Sequence, residues 1–245
     1  MSVVNEVSEE KTISLSLCDR SGALSVTGTL DLFMDMATLH EEVLGYGPIV
    51  MEKRGLYWII GKNRVEILRR PMMTEKVLLR TWPLAPTRLF GNREYLIEDK
   101  EGNVLVKGET EWLVANEGCT KLMPIKDYYP EGFECKEEKL FEEKMKKVQK
   151  DFSDGYCVGT YLVRPTDIDF VGHMNNAAYA RAVMSFIPNN ELEKRKLKGA
   201  EFFYGLQCKE GDELTVMRRD KDHEIEFGTF MPDGRNVMTA RILFE

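Results

Sequence analysis

The sequence predicts an α+β fold of two similar modules, each a curved antiparallel sheet wrapped around one central helix. Its 245 residues exceed a typical single domain, so two modules of ordinary size are expected. The same order of predicted elements, one helix and then a run of strands, occurs twice along the chain. The composition, 43% hydrophobic and 31% charged, is that of an ordinary globular protein and argues against disorder.

In the first module, apolar residues recur at helical spacing and predict a helix over residues 29–45. Thr29 or Asp31 can cap its start, and Gly45 can end it. Alternating apolar residues then predict four strands, at 56–67, 76–84, 88–98 and 104–114. A Glu-Gly-Asn turn at 101–103 joins the last two strands into a hairpin.

The second module repeats this order. An extended piece at 156–164 precedes a helix over 175–187, which Pro188 should stop. Four strands follow, at 199–208, 212–218, 223–231 and 236–244. The modules also share weak sequence similarity, of 73–79 with 210–216 and of 100–106 with 233–239. Two unrelated α+β domains are the alternative.

Residues 134–151 mix both charge signs densely and contain few apolar positions. This pattern is typical of a solvated linker or an exposed amphipathic helix. We therefore expect modules at 1–133 and 152–245, with a charged linker at 134–151 between them.

Charge and cysteine usage exclude several classes of function. The net charge of -7 opposes nucleic acid as a partner. No segment approaches the ~20 apolar residues of a membrane span, and the N-terminus lacks the basic and apolar regions of a secretory leader, so a cytoplasmic location without membrane association is expected. The five cysteines lack close pairs and the chain has three histidines, so we expect reduced thiols, no metal and no cofactor.

The most informative segment is residues 164–183, RPTDIDFVGHMNNAAYARAV, where an extended piece leads into the second helix. Its pattern Asp-x-Asp-x-x-Gly-His-x-Asn-Asn resembles the helix start of hot-dog thioesterases. With the duplicated layout and the length, the chain resembles the acyl-acyl carrier protein (ACP) thioesterases of bacteria and plant plastids. The resemblance implies two tandem hot-dog modules, an acyl pocket shaped by the first, catalytic groups in the second, and ACP carrying a fatty acyl chain as partner.

Thioester hydrolysis needs a base or nucleophile and donors for the oxygen that gains negative charge. Asp169 could act as that base or nucleophile, and His173 could orient water or share the proton. Amides of 172–175 at the helix N-terminus could form the oxyanion hole, with Gly172 allowing close backbone approach. The alternative role for Asp169 is to cap the turn.

Two positions depart from the family's pattern. The family usually has asparagine at the position of Val171, and glutamate before a cysteine where Gln207 precedes Cys208. Valine cannot donate or accept a side-chain hydrogen bond, and glutamine cannot act as a base near neutral pH. An aspartate beside a small apolar residue does resemble single-carboxylate hot-dogs such as 4-hydroxybenzoyl-CoA thioesterase. An acyl-CoA thioesterase and a decayed acyl-thioester binder stay open as alternatives, and a dehydratase is disfavoured because Phe-Pro does not follow His173.

The remaining candidates have structural explanations that we prefer or hold equal. Asn175 and Asn176 should cap the helix, and Cys208 should be a small core residue rather than a nucleophile. No matching acid motif precedes His40, so a surface or core histidine is expected. Five arginines could form a basic patch for an acidic carrier or an ordinary solvated face: Arg64, Arg69, Arg70, Arg88 and Arg93. Fused modules already supply the usual hot-dog pairing, so a monomer suffices and a homodimer is also compatible.

Overall fold

A computed structural model describes residues 5–245. The chain forms two compact units, the first ending at Lys144 and the second spanning Met145–Glu245. Between residues 5 and 245, no helix combines the length and apolar composition needed to cross a membrane.

Within residues 5–144, the first unit forms six strands and two α-helices. In chain order they are β1 (Val7–Thr12), α1 (Val26–Leu44), α2 (Pro48–Glu52), β2 (Leu56–Ile67), β3 (Lys76–Pro83), β4 (Gly91–Glu98), β5 (Val104–Asn116) and β6 (Leu122–Met123). The antiparallel sheet has the order β1-β3-β4-β5-β2, and β6 pairs with β5.

Helix α1 packs its apolar side on this sheet. Phe33 stacks on Tyr95 of β4 with ring centroids 4.4 Å apart. Gly108 of β5 makes room for that ring, because a Cβ there would lie 2.0 Å from Phe33. The predicted start of α1 is wrong by three residues: Ser25 is the N-cap, and its hydroxyl accepts the Gly28 amide at 2.9 Å.

The second unit repeats the plan with a shorter helix. Its elements are β7 (Tyr156–Leu162), α3 (Asn176–Met184), α4 (Asn189–Lys194), β8 (Leu197–Tyr204), β9 (Glu213–Asp220), β10 (Glu224–Phe230) and β11 (Asn236–Phe244). The antiparallel order is β8-β11-β10-β9-β7. Helix α3 ends at Met184, three residues before the predicted end, and Pro188 caps α4 instead of stopping α3.

The charged segment at 134–151 forms neither helix nor strand. Residues 136–143, here called the cover segment, pack on the face of the first sheet opposite α1. Trp82 donates its indole N–H to the Glu138 carbonyl at 2.8 Å, and Leu140 packs against the Trp82 cluster. Arg64 donates to the Glu143 carbonyl at 2.9 Å. The segment 134–151 therefore forms no amphipathic helix, while most of its residues are exposed and the boundary between the two units falls within it.

Candidate active site

A tight turn between β7 and α3 carries the predicted site. The Asp169 amide donates to the His173 carbonyl at 2.9 Å, and the Gly172 amide donates back to the Asp169 carbonyl at 3.0 Å. Gly172 has φ +86°, a conformation that favours glycine. A Cβ at this position would meet nothing within 4 Å. The glycine therefore serves the turn, and the close approach of its backbone to a substrate stays a prediction.

The half-buried carboxylate of Asp169 has two different oxygens. Oδ1 accepts the amides of Val171 at 2.9 Å and of His173 at 3.3 Å, so it holds the turn. Within the described residues, Oδ2 makes no hydrogen bond. Asp169 can therefore cap the turn with Oδ1 and keep Oδ2 available to a ligand.

The imidazole of His173 is half-buried in the same turn. Its Nδ1 is shielded from solvent and finds no hydrogen-bond partner among residues 5–245. A buried polar atom without a partner costs about 1–3 kcal/mol, so folding gives no reason to keep it there. Such atoms are typical of sites whose partner is a water molecule or a substrate.

The helix-terminal amides differ from the predicted oxyanion hole. All four amides of 172–175 donate within the protein: Gly172 to Asp169 O, His173 to Asp169 Oδ1, Met174 to Cys208 O at 2.8 Å, and Asn175 to Asp167 O at 2.8 Å. The amide of Asn176, the first residue of α3, donates to no acceptor in the described chain. The amide that stays available to a ligand at this helix end is therefore that of Asn176, as expected for an N–H in the first turn of a helix.

Asn175 and Cys208 have the structural roles expected of them. Asn175 is the N-cap of α3, and its Oδ1 accepts the Ala177 amide at 2.8 Å. Cys208 is fully buried, and burial together with nearby Asp212 raises the pKa of its thiol. A protonated, buried thiol is a poor nucleophile.

The loop after β8 brings Gln207 to this turn. Gln207 is exposed, and the Cys208 carbonyl accepts the Met174 amide. The sequence interpretation missed Tyr179, whose buried hydroxyl donates to Leu206 O at 3.1 Å and accepts the Cys208 amide at 2.8 Å. Its one signal in the sequence is its place four residues after Asn175, on the same helix face.

The first module contains the same turn, so the expectation that no matching acid motif precedes His40 is wrong for the aspartate of this turn. The Asp19 amide donates to the Ala23 carbonyl at 3.0 Å, and Gly22 donates to the Asp19 carbonyl at 2.9 Å with φ +76°. The Asp19 Oδ1 accepts the Ser21 amide at 2.9 Å. Ala23 occupies the position of His173.

An arginine closes this copy of the turn. Arg70 pairs with the Asp19 carboxylate, and it donates to Leu24 O at 2.8 Å and Ala23 O at 3.0 Å. Pro71 accepts the Leu24 amide at 2.8 Å, as Cys208 accepts that of Met174, so Arg70 corresponds to Gln207. Only the second copy combines an imidazole with a carboxylate oxygen that has no arginine partner.

Of the five arginines that were expected to form either a basic patch or a solvated face, two pair with carboxylates and two are buried. Arg69 pairs with Glu75 at 2.6 Å, and Arg70 pairs with Asp19. Arg64 and Arg93 are buried, at 9% and 3% exposure. His40, expected as a surface or core histidine, is fully buried, and its Nδ1 lies 3.0 Å from Arg93 Nη1.

Family models match both modules. The acyl-ACP thioesterase N-terminal domain matches residues 5–133, and the C-terminal domain matches residues 150–244. An oleoyl-acyl carrier protein thioesterase of Arabidopsis thaliana is 23% identical over 198 residues, 74% of this chain and 54% of its own length. An acyl-[acyl-carrier-protein] hydrolase of Cuphea viscosissima is 23% identical over 212 residues, 81% and 52% of the two lengths. The chain spans about half the length of these curated relatives.

Solved structures confirm the predicted fold. An acyl-ACP thioesterase from Bacteroides thetaiotaomicron superposes with a TM-score of 0.84 at 20% identity, covering 98% of both chains. A 12:0-ACP thioesterase from Umbellularia californica gives a TM-score of 0.81 at 18% identity, covering 99% of this chain and 98% of its own. At these identities the likeness establishes the tandem hot-dog fold alone.

Proposed function

The chain belongs to the acyl-ACP thioesterase family, and on that premise we propose that it hydrolyses acyl-ACP and releases a free fatty acid. The observation that carries the proposal is the turn at 169–173. Its Asp169 Oδ2 and its buried His173 Nδ1 have no partner in the described chain, while Arg70 occupies the copy in the first module.

In the proposed reaction, water attacks the thioester carbonyl carbon. Asp169 Oδ2 accepts a proton from that water, and the His173 imidazole orients the water or shares its proton. The Asn176 amide donates to the carbonyl oxygen as negative charge grows on it. The carbon–sulfur bond then breaks, the acid leaves with the new oxygen, and the carrier's thiol leaves with a proton.

This mechanism gives Val171 no role and requires no proton transfer by Gln207. Valine has no polar side-chain atom, and the glutamine amide can donate or accept a hydrogen bond but cannot act as a base near neutral pH. Asp169 and His173 therefore carry the chemistry, with Gln207 limited to hydrogen bonding.

Purified protein with acyl-ACPs of several chain lengths, followed by thiol release, tests the proposal. Turnover that Asp169→Ala abolishes supports it. Tight acyl-ACP binding without turnover, unchanged by Asp169→Asn, would instead identify a decayed acyl-thioester binder. A parallel series of acyl-CoA substrates separates the two carriers, since faster turnover of acyl-CoA would favour the alternative acyl-CoA thioesterase.

Several expectations from the sequence stay predictions alongside this proposal. They are the acyl pocket in 1–133, the catalytic groups in 152–245, the cytoplasmic location and a homodimer. ACP carrying a fatty acyl chain is the proposed partner.

A further inference from the structure

The hydroxyl of Tyr179 bridges the backbone on both sides of Gln207. It donates to the Leu206 carbonyl at 3.1 Å and accepts the Cys208 amide at 2.8 Å. The side chain is 4% exposed, and its ring packs edge to face against Tyr204 at 5.8 Å. Helix α3 therefore holds the loop 205–208 through the hydroxyl oxygen of Tyr179.

The first module holds the corresponding loop in another way. Thr29 stands at the position of Tyr179, four residues after the N-cap, and its hydroxyl donates to the Ser25 carbonyl within the helix. Pro71 stands at the position of Cys208 and has no N–H to offer. There the loop is joined to the turn by the guanidinium of Arg70, which also occupies the Asp19 carboxylate.

Both modules join this loop to the turn by one backbone bond, from Leu24 or Met174, and they differ in the side chain that adds to it. That difference decides the state of the carboxylate. An arginine on the loop satisfies the aspartate, whereas a tyrosine on the helix leaves Asp169 Oδ2 without a protein partner. We propose that Tyr179 is a positioning residue of the active site: it fastens the 205–208 loop from the helix, so that position 207 needs no arginine and Asp169 stays open to substrate. This inference rests on the proposed function.

Tyr179→Phe removes the bridging oxygen and keeps the ring against Tyr204. The Leu206 carbonyl and the Cys208 amide then lose their common partner, and the loop beside the turn loosens. We expect kcat for acyl-ACP to fall about 10- to 100-fold with a small change in KM, as for other losses of positioning. Hydrogen exchange at the Cys208 amide should accelerate.

Gln207→Arg tests the same idea from the opposite side. An arginine at this position can reach the turn as Arg70 does in the first module, pair with Asp169 and close the site. We expect turnover to be lost while Tm rises. An unchanged kcat in this variant would show that position 207 does not control access to Asp169, and would overturn the proposal.

Tyr95→Phe is the matched control, because it also removes a buried tyrosine hydroxyl, bonded to Thr110 at 3.0 Å in the first module. If Tyr179→Phe lowers kcat no more than Tyr95→Phe does, the loss reflects general destabilisation and the inference falls. Absent thiol release by the wild-type protein would refute the proposed function instead. In that case hydrogen exchange still decides the loop, since unchanged protection of the Cys208 amide in Tyr179→Phe would refute the bridge.

Discussion

Asp19 and Asp169 occupy the same place in the same turn, and their neighbours give them different roles. Each uses Oδ1 to accept backbone amides of its turn. Arg70 takes the second oxygen of Asp19, whereas that of Asp169 has no partner in the described chain. The chemical role of a carboxylate here depends on one residue of the loop that follows β2 or β8.

Asp169→Asn should separate turn capping from catalysis. Asparagine keeps an oxygen for the Val171 and His173 amides, so Tm should stay close to that of the wild type. Loss of the base should lower kcat by roughly 10²- to 10⁴-fold. Asp19→Asn is the matched control and should retain turnover. Equal activity losses in the two variants, measured by thiol release, would contradict a single site.

His173→Ala should lose activity without losing stability. The turn accepts alanine, since Ala23 stands at this position in the first module, and the variant removes a buried Nδ1 that has no partner in the described chain. We expect the free energy of unfolding to stay equal or rise by about 1 kcal/mol, because an unsatisfied polar atom is removed. Chemical denaturation measures this change. A fall in the free energy of unfolding of more than about 1 kcal/mol would mean that the imidazole supports the fold.

Thr74 carries backbone strain that its counterpart avoids. It has φ +70°, which a β-branched residue rarely adopts, while Gly211 stands at the matching loop position with φ +87°. Gly211→Thr should lower the free energy of unfolding by about 1–2 kcal/mol, the cost of a left-handed residue. Thr74→Gly should lower it less or raise it. Urea denaturation of both variants checks the order, and the reverse order would remove strain as the explanation.

At the scale of elements, apolar alternation predicted the long strands well and the element ends poorly. Strand β2 has its predicted bounds. Strand β1, VSEEKT, was missed because four of its six residues are exposed and polar residues dominate it. The start of α1 was missed because Val26, Thr27 and Gly28 are weak helix formers, so the Ser25 cap was not recognised.

The candidate site was predictable where it is local. Asp169, His173 and the Asn175 cap lie within seven residues, and their pattern indicated the turn correctly. Tyr179 and Arg70 were not recognised, because their roles depend on loops 27 and 51 residues away in sequence. The acceptors of the backbone amides of 172–175 could not be predicted either, because they depend on the three-dimensional course of the backbone.

The buried carboxyl group of Glu94 should make the stability of the first module depend on pH. Glu94 of β4 is 1% exposed, and its Oε2 has no partner in the described chain. Burial, followed by the charge of Glu109, raises the pKa of Glu94 to about 8 from 4.5. The folded state therefore holds a proton that the unfolded chain releases above pH 4.5. Its stabilising contribution is complete below pH 4.5 and is lost as the pH rises to about 8.

Glu94→Gln replaces the titratable carboxyl group with an amide that is neutral at every pH. We expect the variant to exceed the wild type in free energy of unfolding at pH 8 by more than about 1 kcal/mol, and to show a flatter dependence between pH 5 and 8. Urea denaturation across that range measures both. Glu66→Gln controls for loss of a carboxylate, since that side chain is 47% exposed. Parallel curves for Glu94→Gln and the wild type would mean that Glu94 is ionised when folded.

At the scale of the whole molecule, residues 5–245 contain two copies of one turn, and the second copy alone combines an imidazole with a carboxylate oxygen that has no arginine partner. The first copy lacks the imidazole, because Ala23 replaces it, and Arg70 occupies its carboxylate. A non-hydrolysable acyl-ACP analogue should therefore saturate at one molecule per chain in calorimetric titration. Gln207→Arg should reduce that number toward zero, whereas Arg70→Gln should leave it at one, because opening the first turn supplies no imidazole. Two molecules per wild-type chain would show that the arginine does not close the first copy.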